Sequence, residues 1–171
     1  MNLFDIRSVT FDEPIEMLYA CHGKVRNFCE QIDRLPSYLA ENGYNQAVAQ
    51  AIRQIRHYFT IAAALHHQDE ENDFFPLLLQ YYPQARATIE ELERQHQHLH
   101  QVWLAVEEEL EKLQAEPEYR PDTGRLKAFS EAYQQHLQLE EPLFEQGKQN
   151  IPAAELTAIG SLMSRRRQTA R

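Results

Sequence analysis

Four histidines, His22, His66, His96 and His136, stand where a helical seam calls for leucine or isoleucine. Burying an unpartnered polar side chain costs on the order of 1 to 3 kcal/mol, so four of them would consume much of a domain stability of about 5 to 15 kcal/mol. They need partners. Residues four apart share a helix face, and at that distance His66 has Glu70, His96 has His100 and His136 has Glu140. Eight histidines and 20 glutamates among 171 residues give roughly one His-to-Glu pair at this spacing by chance, and three are present. Imidazole and carboxylate together suit iron, zinc or manganese. Five imidazoles and two carboxylates exceed the three or four protein ligands of a single zinc, and carboxylates on two helices can bridge two ions. A dinuclear metal centre is the economical reading.

The elements that must carry these groups are helices: apolar residues recur at 3,4 spacing in four stretches, and nothing alternates with period two. The first helix is predicted over about 13–35, with Asp12 as N-cap, Pro14 in its first turn, and the seam Ile15, Leu18, His22, Val25, Cys29, Ile32 running to Pro36. The second spans about 45–75, with Val48, Ile52, Ile55, Phe59, Ala62 and His66 inward, Glu70 one turn later and Pro76 at its end. The third, about 84–114, carries Ile89, Leu92, His96, Leu99, Trp103, Val106, Leu110 and Leu113. The loop AEPEYRPDTG ends it. The fourth, about 123–146, carries Leu126, Phe129, Tyr133, His136, Glu140 and Leu143 and stops at Gly147. A short fifth helix over about 152–165 reads as an appendage.

Short connections between long helices make neighbours antiparallel, so the expected fold is all-α: an up-down-up-down four-helix bundle with an additional short C-terminal helix, in a single domain. His22, His66, His96 and His136 then lie nine to 12 residues from helix ends that share one end of the bundle. At about 1.5 Å per residue this puts all four in one layer roughly 13 to 18 Å in.

Composition narrows the function classes. With 43% apolar and 25% charged residues, 171 residues suffice for one core. A net charge of −9 works against nucleic acid or an anionic membrane as partner, and Arg165, Arg166 and Arg167 are the one cationic run, read as a solvated helix end. No apolar stretch is long enough for a membrane span, and the opening MNLFDIRSVTFDEP has no basic region followed by an apolar run. Cys21 and Cys29, eight residues apart, form no CxxC motif and are too far apart along a helix to bridge. They are expected to be packing residues of a cytoplasmic protein. His57 and His98 rotate away from the seam and read as surface residues. His67 and Glu71 repeat the spacing one position round the helix, either as outer partners of the site or, with the helix rotated, in place of His66 and Glu70.

This ordered set resembles the hemerythrin family, specifically the bacterial hemerythrin-like HHE cation-binding domains. The segments that carry the resemblance are LYACH ending at His22, LHHQDEENDFFP with His66 and Glu70, ERQHQHLH with His96 and His100, and HLQLEEPLF with His136 and Glu140. The resemblance implies two iron ions in a non-haem, oxo- or hydroxo-bridged diiron centre, with Glu70 and Glu140 as bridges. It implies His96, His100 and His136 on one iron, and His22 and His66 on the other beside an open position for oxygen, peroxide or nitric oxide. The distance to the FFP at Phe74 to Pro76 selects His66 over His67. Oxygen carriers of the family usually bear HxxxxD on the last helix, whereas this chain has HxxxE, which weighs against simple oxygen storage and favours the HHE group; the function expected from the resemblance is binding of the small ligand for sensing, storage or peroxide detoxification. The competing readings are an iron- or redox-sensing regulatory module and a metal-free helical interaction module.

Overall fold

The computed structural model describes residues 9–170, and the first eight residues, part of the opening segment considered above, lie outside the described residues. Helix α1 is Pro14–Asn42. Helix α2 covers 46–81 as three α-helical segments, Gln46–His57, Ala63–Asp69 and Phe75–Tyr81, joined by π-helical turns at Tyr58–Ala62 and Glu70–Phe74. A 3₁₀ turn, Pro83–Ala85, leads into α3, Arg86–Ala115. Helix α4 is Thr123–Asn150 and α5 is Ala153–Thr169. The described residues contain no strand.

Three boundaries differ from expectation, and each involves a residue that normally ends a helix. Pro36 does not stop α1; beyond it Leu39 is 1% exposed, and burying that side chain helps offset the roughly 3 kcal/mol cost of an interior proline. The helix ends instead at Gly43, whose φ of 66° turns the chain while its N–H donates to the Leu39 carbonyl. Pro76 falls just after a π turn, where the i→i−4 ladder is already interrupted, so a residue without an N–H is accommodated. Gly147 is buried within α4; a Cβ there would lie 2.7 Å from the Phe74 ring, so close packing rather than chain reversal accounts for it. The first cap also shifts, from Asp12 to Glu13, whereas Asn45 and Asp122 accept from the N–H groups of Val48 and Arg125 and fix the starts of α2 and α4.

Contacts between packed helices run in opposite order along the two helices of each pair. Glu16 meets Lys148, Tyr19 meets Glu145, and His22 and Arg26 meet Glu141 between α1 and α4. Arg56 meets Gln114 and Thr60 meets Glu107 between α2 and α3, and Glu109 meets Arg125 between α3 and α4. Two apolar clusters form the core. One gathers Ile32, Ile52, Trp103, Leu110 and Phe129; the other gathers Leu18, Phe74, Leu92, Phe144 and Met163. Between them every long helix contributes polar groups to the same level, and no helix of the described residues is long and apolar enough to cross a membrane.

Candidate metal centre

The polar layer is set by where each helix passes from one apolar cluster to the other: after Leu18 in α1, after Ala63 in α2, after Leu92 in α3, and between Tyr133 and Leu143 in α4. There His22, His66, Glu70, His96, His136 and Glu140 are all buried, and Glu70 and Glu140 are 0% exposed. His66 Nε2 lies 2.7 Å from Glu70 Oε1, and His22 Nε2 lies 3.1 Å from Glu140 Oε2. His96 Nε2 lies 3.3 Å from Glu70 Oε2, His136 Nε2 lies 3.3 Å from Glu140 Oε2, and the two Nε2 atoms face each other at 3.2 Å.

These approaches are close without being aligned hydrogen bonds: both oxygens of Glu70, both of Glu140, and His22 Nε2 are buried with no hydrogen-bond partner. Buried acceptors left in that condition are costly in a folded core. Donor atoms bound at about 2.1 Å to one ion stand about 3 Å apart across a polyhedron edge, so the observed separations suit coordination. The ligand atoms of His22, His66, Glu70 and Glu140 lie within 4.8 Å of one another, and so do those of Glu70, His96, His136 and Glu140. Both carboxylates therefore serve two adjoining sets of donors.

His67 makes a further grouping with His96 and His136: its ligand atom lies within 4.8 Å of theirs, and its ring stacks on His96 with centroids 3.9 Å apart. His100 does not join. It is exposed, because the seam of α3 passes from His96 to Leu99 and Trp103 and carries the next position round toward solvent. The structure thus brings together six of the seven residues expected from sequence, adds His67 and leaves His100 outside. His57 and His98 are exposed.

The ring nitrogens that face away from the centre have partners of their own. His22 Nδ1 is 3.1 Å from Glu141, which also accepts from Arg26; His96 Nδ1 is 2.6 Å from Glu71; His136 Nδ1 is 3.1 Å from the Gln95 side-chain oxygen. Such outer contacts fix ring orientation and tautomer. Glu71 was foreshadowed by its spacing from His67, whereas Gln95 and Glu141 are simply the neighbours of His96 and Glu140 in sequence and carry no signal of their own.

Electrostatics keep the metal-free cluster charged. Burial opposes protonation of His22 and His96, but Glu140 and Glu70 outweigh it for His22, and Glu70 and Glu71 do so for His96, lifting each to about 9. Against the same burial, Glu70 raises His66 well above the ordinary value. Burial pushes His67 well down, reinforced by the positive charge on His96. Glu70 and Glu140 stay below the usual carboxylate range despite burial, Glu70 through His66 and His22, Glu140 through His136 and His22.

Cys21 is half-buried and joins no donor set among the described residues, as expected of a packing residue; burial raises its thiol, but the neighbouring His66 brings it below the ordinary thiol value. One expectation about the surroundings is overturned. Arg166 and Arg167 are not a solvated run but partly buried and ion-paired with Asp69 and Asp73.

Residues 13–146 match the family described as hemerythrin HHE cation binding domain. The chain is also 50% identical over 159 residues to a protein of Haemophilus influenzae (strain ATCC 51907 / DSM 11121 / KW20 / Rd) that bears the description "Uncharacterized protein". That alignment covers 93% of this chain and 92% of the relative.

Proposed function

The chain belongs to the hemerythrin HHE cation-binding family, and from that premise we propose that it is a non-haem diiron protein that binds oxygen, peroxide or nitric oxide at an open iron position, for sensing, storage or peroxide detoxification. The observation that carries this reading is the sharing of Glu70 and Glu140 between two adjoining sets of buried donors. His22 and His66 would hold one ion, and His67, His96 and His136 the other, so that His67 takes the place that the family pattern gives to His100. Two bound irons would supply the open position and one or two electrons for a small ligand.

The chain's own residues do the rest. Glu141, Glu71 and Gln95 hold three imidazoles in register through their outer nitrogens. Phe74, Phe75, Phe144 and Tyr133 surround the layer and keep bulk water from it. His22, His66 and His96 carry protons in the metal-free protein and must release them to coordinate, so uptake is coupled to proton loss. We further infer that α1 to α4 form an up-down-up-down bundle with α5 appended, in a single domain, which the opposed order of interhelical contacts supports. A cytoplasmic setting is supported by the free thiols of Cys21 and Cys29.

The test is the visible spectrum of iron-loaded protein titrated with azide, nitric oxide or hydrogen peroxide. The expected result is oxo-bridge charge-transfer bands that shift on ligand addition. A spectrum that none of the three perturbs would overturn the open position. Rapid peroxide turnover lost with the iron would mark an enzyme, and binding without turnover a carrier or sensor.

A further inference from the structure

We propose that α5 is a working part of the metal centre, with Arg166 and Arg167 as positioning residues that hold the π turn bearing Glu70. The proposal rests on reading the cluster as a metal centre. Helix α5 lies beyond residues 13–146, the segment that matches the family.

Glu70 is the first residue of the π turn Glu70–Phe74, and its carboxylate has no hydrogen bond of its own, so its placement depends on the backbone that carries it. A π turn fits one extra residue into the helix and departs from the regular ladder, and such turns recur at functional sites. This one is clamped from outside. Asp69 and Asp73, one residue before Glu70 and three after it, are 1% and 8% exposed and engage α5 rather than the cluster. Arg167 grips Asp69 with two bonds, Nη2 to Oδ2 at 2.7 Å and Nη1 to Oδ1 at 3.1 Å. Arg166 reaches Asp69 Oδ1 with one amine and Asp73 Oδ2, at 2.7 Å, with the other. Planar guanidinium groups bonded in this way fix angle as well as distance.

The clamp is itself held in place. Met163 is fully buried, and Gly160 packs so closely on the segment before α1 that a Cβ there would lie 1.9 Å from the Phe11 carbonyl oxygen. Arg167 stacks over the Phe11 ring at 4.8 Å and also donates to the Met163 carbonyl. A comparable arginine–carboxylate contact, Arg125 with Glu109, occurs at the other end of α3 and α4, with no ligand residue near it. It provides the control for stability alone.

The experiment uses the full chain with Arg166→Ala and Arg167→Ala combined, beside Arg125→Ala. Amide exchange of residues 69–74 is followed in the metal-free protein, and ferrous iron affinity is measured by chelator competition. The arginine pair variant is expected to exchange at least tenfold faster over 69–74 and to lose about 10- to 100-fold in iron affinity, the range typical of outer partners of a metal site. Arg125→Ala is expected to lower the melting temperature while leaving both readouts unchanged. Wild-type protection over 69–74 with iron affinity within twofold of wild type would overturn the proposal. Should the double variant fail to fold, Arg166→Lys and Asp73→Asn, which each keep the Arg167–Asp69 bonds, decide by the same two readouts, with smaller changes expected in both. A wild-type chain that takes up no iron would overturn the diiron reading, and the exchange comparison would still decide the positioning role.

Discussion

Helices α2 and α4 each bring a histidine and a glutamate four residues apart to the cluster, yet they do so by different means. Helix α4 stays α-helical from Thr123 to Asn150, through Pro142, and His136 and Glu140 stack one turn apart on its buried face. Helix α2 is interrupted by π turns on either side of its ligand segment, and it buries neighbouring residues together: Tyr58 with Phe59, Asp69 with Glu70, and Asp73 with Phe74 and Phe75, with Asp69 and Asp73 turned to α5 and Glu70 to the cluster. A π turn holds more residues per turn than an α-helix, so adjacent positions can be buried against different neighbours. A continuous helix brings one donor per turn to the cluster, whereas α2, with π turns on either side of Ala63–Asp69, places the adjacent His66 and His67 in different groups of donors. The buried network of Asp69 and Asp73 with Arg166 and Arg167 belongs to the interrupted helix as well.

The sharpest way to break this account is Glu70→Ala. Because Glu70 reaches both donor sets, metal content should fall from two ions per chain to near none, measured by elemental analysis. Full occupancy would sink its shared role. Next in size, His67→Leu should remove one ion or weaken it more than tenfold while His22, His66 and both carboxylates keep the other. His100→Leu, on the exposed side of α3, should leave both ions in place. Equal losses in these two variants would erase the distinction between α2 and a regular helix.

A core variant sharpens the contrast from the other side. Phe129→Ala, deep in the far apolar cluster, should cost about 3 to 5 kcal/mol in urea unfolding yet preserve the metal stoichiometry. The remaining test is with pH. His22 and His96 stand at about 9 in the folded protein against 6.5 unfolded, so the folded chain binds more protons between those values. The stabilisation from these groups is fully present below about pH 6.5 and is lost as pH rises through 9. The metal-free melting temperature should drop by several degrees over that window, while iron affinity rises as the imidazoles give up their protons. Opposite slopes in the two measurements are the signature, and parallel slopes would contradict it.

Much of this was legible in the sequence because it obeys one period. The 3,4 spacing located four helices, and histidine in place of leucine on four seams marked the level at which the core turns polar. Local departures from that period were not legible. Nothing in YFTIA or EENDF announces a π turn, so the inward role of His67 could be posed only as an alternative. Pro36 and Pro76 read as helix ends in the sequence, since the spacing does not reveal how Leu39 and the π turn accommodate them. The arginine run looked like a solvated terminus because its acidic partners lie more than 90 residues away in sequence. The nearness of Cys21 to His66 was not legible either, because it depends on how α2 packs against α1.

Whether two ions share Glu70 and Glu140 is decided by the number of metal ions per chain in protein produced with iron and analysed by elemental methods. Two irons per chain are expected; a single ion, zinc alone or no metal would rule out a shared pair.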